Sequence, residues 1–344
     1  MTEGADRRGL AAAAATLLLL GAGVVAGSGN LRNYDPVLLT YTFGVLFSAA
    51  AVAYRTTVWL RRPPTALYAR RGLELLGRGN PLGNLVFAAR AAAENLAAFR
   101  FVRKRSTLRW AIHALIAWGS LLAGAVTFPL VFGWLHFETL PDVPAVYVVK
   151  LFNLPVGRFD TASPLRYVLF NLLNLSAVMV TVGVALALHR RLRDRAALSR
   201  QQFGNDLVPL LLLLAISLTG LMLTFSTHAL QGAGYQPLSL IHALVVTGAL
   251  LYVPFGKLFH VVQRPLHLSV LLYKREGAAG PRAACARCGG DFASAMHRDD
   301  LAGALRAAGV PVPVDLCPRC KRVSLGLAQG RAMAGAGFRE AAHG

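Results

Sequence analysis

The chain has 344 residues, of which 55% are hydrophobic and 15% charged, and its mean hydropathy is +0.49. This composition excludes an ordinary soluble domain, because it is too apolar and carries too little charge. The formal net charge of +20 would suit nucleic-acid binding, but the arginines lie between apolar runs, as they do in membrane proteins. We therefore expect a lipid bilayer, and no nucleic acid, as the partner of this surface.

Six apolar runs are long enough to cross a bilayer, and they predict an all-α, polytopic membrane helical bundle. In chain order the predicted spans are 9–27, 37–60, 109–135, 165–188, 207–229 and 238–262. The first two form an N-terminal pair over 1–60, and the other four form a membrane domain over 109–265. Arg7 and Arg8 before an apolar run that ends in small residues are also typical of a cleaved signal peptide, so the first span keeps this alternative.

Basic segments between the spans predict the orientation of the chain. Residues 61–108 carry ten Arg and Lys residues against two Glu, and the loop 189–205 is also strongly basic. The positive-inside rule places both segments, and with them both termini, on the cytoplasmic side of a cell membrane. Residues 61–108 are amphipathic and interrupted by prolines, which predicts short helices at the inner interface or, alternatively, a solvated basic linker.

Four histidines lie inside the predicted spans, His113, His228, His242 and His260, and ionisable side chains there are costly and are functional hypotheses by default. His242 and His260 are 18 residues apart, which is five turns, so on one helix they share a face and lie about 27 Å apart. His113 is at a depth similar to that of His260. Two facing imidazoles at one depth are typical of a six-coordinate b-type haem. The alternative is that these histidines form hydrogen bonds between helices or reach towards the interface.

These motifs resemble the gamma subunit of respiratory nitrate reductase, a membrane cytochrome b related to the membrane subunits of heterodisulfide-reductase-like complexes. The likeness covers roughly residues 105–267 and rests on RWAIHALIAWG, DLVPLLLLLAISLTGLMLTFS and the H-x17-H spacing that ends in PFGKLFH and QRP. It implies a quinol-oxidising cytochrome with two haems that passes electrons to a cytoplasmic iron–sulfur and molybdenum oxidoreductase. His113 and His260 match the ligands of the haem nearer the cytoplasm, and His242 matches one ligand of the outer haem.

The chain departs from this family at the outer haem. The family has the second ligand of that haem ten residues after the first ligand on the same helix, where this chain has Ala123. His136, His228 and Met222 are the candidates for the missing partner, and the residues do not choose between them. We therefore expect one haem b and leave a second haem open.

The C-terminal tail contains two C-x2-C pairs, which predict a zinc-ribbon-like module over 280–325. Four thiolates with this spacing can hold one tetrahedral ion, and so small a unit needs a metal to fold. Structural zinc is the expected metal, with iron in a rubredoxin-like site as the alternative. The Gly/Ala-rich end, 326–344, predicts disorder. The four expected ligands are Cys285, Cys288, Cys317 and Cys320.

Together these features predict a b-type cytochrome subunit that transfers electrons between quinone and a cytoplasmic oxidoreductase. The chain has no ferredoxin-type cysteine run and no nucleotide-binding loop, so we expect the terminal chemistry on another subunit and no catalytic residue here. Two alternatives are a haem-free transporter and a membrane anchor whose zinc ribbon docks a partner. The sequence shows no internal repeat, which weakens the transporter alternative.

Overall fold

The computed structural model describes residues 6–34, 38–140, 143–194, 201–310 and 312–341, and these ranges are mostly helical. They divide into two compact units, one within 1–59 and 93–264 and the other within 60–92 and 265–344. In chain order the elements are α1 (Arg7–Gly27), α2 (Leu39–Leu60), α3 (Pro63–Gly77), α4 (Pro81–Ala92), α5 (Arg100–Arg103), α6 (Thr107–Val131), β1 (Leu135–Leu140), β2 (Val143–Leu151), β3 (Leu154–Asp160), α7 (Pro164–Phe170), α8 (Leu172–Arg193), α9 (Val208–Ala229), α10 (Tyr235–Tyr252), α11 (His260–Gln263), α12 (Leu266–Ala279), β4 (Arg282–Ala284), β5 (Asp291–Ser294), α13 (Ala295–Ala307) and α14 (Pro318–Ala341).

Within the described ranges, six helices are long and apolar enough to cross a membrane, and all six belong to the first unit. They are α1, α2, α6, α8, α10, and α9 together with the π-helical turn Phe203–Leu207 that precedes it. The prediction of a six-span membrane helical bundle is confirmed at this level. The length and hydropathy of these helices indicate a membrane protein.

Glycines allow α6 and α8 to pack closely against each other. A Cβ atom added to Gly119 would lie 2.7 Å from Val180 Cγ2, and one added to Gly183 would lie 2.8 Å from Ile116 Cγ1. Both distances are shorter than a Cβ atom tolerates, so only glycine fits at these two positions without a shift of the neighbouring helix. The residue order of the two contacts also shows that α6 and α8 run antiparallel.

Two hydrogen bonds join α8 to the segment that contains α9. Near one end of the pair, Thr224 donates to the Asn174 side-chain oxygen at 2.8 Å. Near the other end, Arg191 donates to the backbone carbonyl of Asp206 at 3.2 Å. Because early residues of one helix meet late residues of the other, α8 and α9 are also antiparallel, as expected for successive membrane spans.

The helix predicted over 238–262 is wrong in its length. It ends at Tyr252, and the chain then turns through Pro254 and Gly256 before a 3-10 turn and the short helix α11, which starts at His260. Pro254 has no backbone N–H to continue the helical ladder, which explains a break at this point. His242 and His260 therefore do not share one straight helix face.

The strands β1, β2 and β3 form an antiparallel sheet in that order, so the chain is not purely α-helical. Its β2 sequence, VPAVYVVKL, is rich in β-branched residues, which favour strands. Four aromatic rings join the sheet to α7, with centroids of neighbouring rings between 5.3 and 6.1 Å apart. These rings belong to Phe137, Tyr147, Phe159 and Phe170.

The second unit combines residues from the middle and the end of the chain. The segment predicted as one piece over 61–108 is divided: α3 and α4 belong to the second unit, whereas residues 93–105 belong to the first. The tail adds α12, the β4–β5 hairpin, α13 and α14. Where the composition predicts disorder after residue 325, the described chain is helical to Ala341, because its many alanines favour a helix; residues 342–344 lie outside the described ranges.

A buried carboxylate organises the second unit. Asp300 on α13 accepts hydrogen bonds from the Arg71 guanidinium on α3, at 2.5 Å and 3.0 Å, and from the Tyr273 hydroxyl on α12 at 3.0 Å. The Asp300 side chain is 8% exposed and that of Arg71 29%. Three helices that are distant in sequence are thus tied at one charge-assisted centre.

Candidate functional site

His113 lies in the second turn of α6. Ser106 caps the start of this helix, because its hydroxyl accepts a hydrogen bond from the Arg109 backbone N–H. The imidazole is half-buried, and the rings of Phe99 and Phe101 pack around it with centroids 4.7 and 6.4 Å away. Phe99 has a left-handed backbone (φ 50°), which turns the preceding segment back onto α6. Among the described residues, neither nitrogen of His113 has a hydrogen-bond partner.

His260 is close enough to His113 to act on it electrostatically. Its Nδ1 is 2.6 Å from the Lys257 carbonyl, to which it donates, and this bond leaves Nε2 as the unprotonated nitrogen of a neutral imidazole. Arg264 also acts on His113 electrostatically. Arg264 also stacks over Phe101 at 4.4 Å, so it is positioned beside the histidine pair.

The helix that carries His242 thus ends before His260, but His260 still lies close enough to His113 to act on it electrostatically. The sequence missed Phe99, Phe101 and Arg264 as neighbours of the pair. Arg264 follows His260 by one helical turn, which is a signal that the spacing alone could have given. The two phenylalanines reach the site only because the chain reverses at Phe99, and no local pattern announces that reversal.

His242 occupies a second position in the bundle, ten residues before the end of α10 and about 15 Å along its axis. Its Nδ1 is 2.8 Å from the Thr219 hydroxyl on α9. That hydroxyl also lies 2.7 Å from the Ala215 carbonyl, which can accept its proton, so in the tautomer protonated at Nδ1 His242 donates to Thr219 and its Nε2 is unprotonated. The Tyr41 ring lies 6.4 Å away.

The three candidate partners of His242 lie in different surroundings. His136 is on strand β1, where its Nε2 pairs with Glu138 at 3.1 Å and its Nδ1 is buried without a hydrogen bond to any described residue. His228, exposed at the end of α9, donates from Nδ1 to the Thr224 carbonyl at 3.0 Å. Met222 is 53% exposed. The contacts that the described residues give His242 do not include any of these three.

The four cysteines of the tail come together in one cluster. Their sulfur atoms all lie within 4.8 Å of one another, and Cys288 and Cys317 are 3.8 Å apart. A tetrahedral ion with bonds of about 2.3 Å needs sulfur atoms about 3.8 Å apart, so the cluster fits a four-coordinate metal. The predicted four-cysteine site, formed by Cys285, Cys288, Cys317 and Cys320, is confirmed as a cluster that could hold a metal ion.

Each C-x2-C pair has a local device that positions its sulfur atoms. The first follows β4 and turns through Gly289, whose φ of 70° suits glycine. The second leads into α14, where the Cys317 backbone donates to the Cys285 sulfur at 3.2 Å and the Cys320 backbone donates to the Cys317 sulfur at 3.4 Å. Such N–H donors stabilise thiolates, which are the form that binds metals.

The electrostatics of the cluster also favour a cation. Backbone donation, first from Cys317 and then from Cys288, lowers the pKa of the Cys285 thiol to about 6. A hydrogen bond to Cys317, together with burial and the other sulfur atoms, raises the pKa of Cys320 to about 12. Four thiols so close together do not all ionise unless a positive charge lies between them, and a divalent ion supplies that charge.

Comparisons with protein-family models, with curated proteins and with solved structures each find no match to this chain. The fold and the sites define a class: a helical membrane protein with six apolar helices that could span the bilayer and a four-cysteine cluster that could hold a metal ion.

Proposed function

We propose that this chain is a b-type cytochrome that transfers electrons between membrane quinone and a cytoplasmic iron–sulfur or molybdenum oxidoreductase. The observation that carries the proposal is the electrostatic proximity of His113 and His260, which come from distant parts of the chain. Two imidazoles on neighbouring helical segments inside a membrane bundle are the ligand set of a six-coordinate haem. The resemblance to the gamma subunit of nitrate reductase points to the same activity.

The residues around this pair suit a haem in three respects. His113 has both ring nitrogens unpartnered among the described residues, and His260 has Nε2 available because Nδ1 is held by the Lys257 carbonyl. A hydrogen bond from the second ring nitrogen is the usual support of a metal-binding histidine. Arg264 adds a positive charge that suits the propionate carboxylates. When bound, the haem supplies a one-electron redox centre, while Phe99 and Phe101 shield the imidazole of His113 from water.

His242 is our proposed ligand for a second haem, supported by the Thr219 hydroxyl that fixes its ring. Of its three candidate partners, His228 also holds its Nδ1 on a backbone carbonyl, as ligating histidines do. His136 instead has its Nε2 on Glu138 and lies on a strand. Because His228 lies nine residues beyond Thr219, the residue that pairs with His242, the three candidates stay open as partners.

The tail module has a separate role in this proposal. We infer that the four cysteines bind zinc, which holds the β4–β5 hairpin and the start of α14 together, with iron as the alternative metal. The positive-inside rule places this module, both termini and the His113–His260 end of the bundle in the cytoplasm. The module would then lie on the side where the soluble oxidoreductase docks.

A reduced-minus-oxidised absorbance spectrum of the purified full chain, with haem and zinc counted per chain, tests the function. We expect a b-type signal that is lost in His113→Ala and in His260→Ala. His267→Ala is the matched control, because His267 is exposed and lies outside the six spans. A change of stoichiometry in His242→Ala or His228→Ala would identify the second haem.

The absence of haem from folded wild-type protein made in a haem-replete host would overturn the cytochrome proposal. The four-cysteine cluster favours one alternative in that case, a membrane anchor whose zinc-ribbon-like tail docks a soluble partner, because the cluster needs no haem. A haem-free transporter would be the remaining alternative. If the protein binds zinc without haem, transport assays would distinguish the transporter from the membrane anchor.

A further inference from the structure

A groove with one apolar wall and one basic wall lies where α6 begins and α8 ends. Its volume is about 340 Å³. Both helices are candidate membrane spans, so the groove lies at the end of two spans and not at their middle. It is lined by Leu108, Leu186, His189, Arg190, Arg193 and Asp194.

The basic wall contains a donor that the protein leaves unpaired. The Nε atom of Arg190 is buried and has no hydrogen-bond partner among the described residues. Arg109 and Arg191 are close enough to repel it, and Asp194 is the acidic group nearby. Arg191 is directed towards the π-helical turn before α9, where it donates to the Asp206 carbonyl at 3.2 Å. Positive charge is thus in excess here, and a buried unpaired donor calls for an acceptor.

The end of a helix attracts cations, which accounts for basic residues in the last turn of α8. It does not account for a cavity beside a guanidinium whose Nε has no partner among the described residues. The apolar wall narrows the choice of ligand: Leu108 is 54% exposed and Leu186 39% exposed, in spans that a bilayer would cover. A phospholipid has the matching parts, because its phosphate accepts from guanidinium and its acyl chain covers apolar side chains. A quinone has a neutral head group and would leave the excess charge unbalanced.

We propose that this groove binds one anionic phospholipid, with its phosphate on Arg190 and Arg193 and its acyl chain along Leu108 and Leu186. The lipid completes the charge balance between the ends of α6 and α8. This inference does not depend on haem, so it stands or falls separately from the proposed function.

The test is native mass spectrometry of the full chain in detergent, with phosphatidylglycerol and phosphatidylcholine that carry the same acyl chains. We expect one phosphatidylglycerol to stay bound under activation that removes phosphatidylcholine. The double variant Arg190→Gln/Arg193→Gln should weaken phosphatidylglycerol binding by about thirtyfold. The control Arg158→Gln/Arg166→Gln removes the same charge from exposed positions on β3 and α7, outside the six spans, and should leave binding unchanged.

Three results would overturn the proposal. The first is equal retention of the two lipids by the wild-type chain. The second is equal loss of binding in the control variant, which would mean that net charge alone attracts the lipid. The third is displacement of the lipid by inorganic phosphate at low millimolar concentration, which would define a phosphate site without a role for the leucines. If the double variant does not fold, Arg193→Gln alone, at an exposed position, should still weaken binding.

Discussion

The two units hold their candidate ligands in different ways. In the membrane unit, His113, His242 and His260 come from three helical segments, and each ring has its own neighbours. In the second unit, four cysteines form two identical short motifs whose sulfur atoms and backbone donors support one another. The first arrangement depends on how whole helices pack, whereas the second depends on two turns and a metal. A substitution that disrupts one arrangement should therefore leave the other intact.

The largest expected effect is on the cysteine cluster. Cys317→Ser removes one thiolate and should release the metal and unfold the hairpin around it, since metal binding is part of the folding energy of such modules. Zinc per chain should fall close to zero, and limited proteolysis should cut the tail. The control Ser324→Ala changes a nearby hydroxyl and should retain zinc.

The membrane unit should be indifferent to that change. Its helical circular dichroism and thermal transition should match those of the wild-type chain after Cys317→Ser or after treatment with a chelator. Loss of structure in both units would contradict their independence, because it would show that the helical bundle depends on the metal.

The packing of α6 against α8 should be the next most sensitive feature. Gly119→Val would place a side chain 2.7 Å from Val180 and 3.0 Å from a backbone oxygen, so we expect a loss of about 2 kcal/mol in the free energy of unfolding. Gly124→Val is the control, because its Cβ would meet Phe128 at an ordinary 3.5 Å. Unfolding in mixed detergent micelles measures both, and equal losses would contradict the close contact.

Loss of the Asp300 carboxylate should destabilise the second unit by as much as Gly119→Val destabilises the membrane unit, or by less. Asp300→Asn removes the charge that Arg71 and Tyr273 share, at a cost of about 2 kcal/mol, which is below the range for fully buried pairs because Arg71 is partly exposed. Protease resistance of the tail measures the effect. An unchanged cleavage rate would mean that the three helices hold together without this centre.

The same centre predicts a pH dependence. Burial alone would raise the pKa of Asp300, but the hydrogen bonds from Arg71 and Tyr273 outweigh it and hold the pKa below its ordinary value. The stabilisation is therefore complete above the ordinary pKa of about 3.9 and is lost as the pH falls through the lower folded value. Asp300→Asn should flatten this part of the acid unfolding curve, and an identical curve would exclude the carboxylate as its source.

The smallest effect is expected at an exposed ion pair of the sheet. Glu138 pairs with Lys150 at 2.5 Å, but its side chain is 42% exposed. Such surface pairs contribute little, so Glu138→Gln should change the free energy of unfolding by less than about 0.5 kcal/mol. A larger loss would indicate that His136, which also contacts Glu138, needs the carboxylate to keep its place on β1.

The parts that the sequence predicts well are those with local causes. Long apolar runs specify the spans by themselves, and the two C-x2-C motifs bring their sulfur atoms together through short turns. The break after Tyr252 also had a local signal in Pro254 and Gly256, which the apolar run concealed. The sheet also had a local signal, the β-branched residues of β2, but length and hydropathy alone do not distinguish such a strand from a buried helix.

Other features depend on distant contacts and could not be predicted from local pattern. The left-handed turn at Phe99 brings its ring against His113, yet phenylalanine has no preference for that conformation. The division of residues 61–108 between the two units depends on Asp300 and Tyr273, which lie far along the chain. The pairing of His242 with Thr219 requires the register between α9 and α10.

The discontinuous second unit has a consequence for the timing of synthesis. Arg71 and Asp300 are separated by 229 residues, and the spans α6, α8, α9 and α10 lie between them. At a ribosomal rate of about 5 to 20 residues per second, α3 is made at least about ten seconds before its partner carboxylate. The second unit can close only after α10 has been translated, so its assembly follows the synthesis of all six apolar helices.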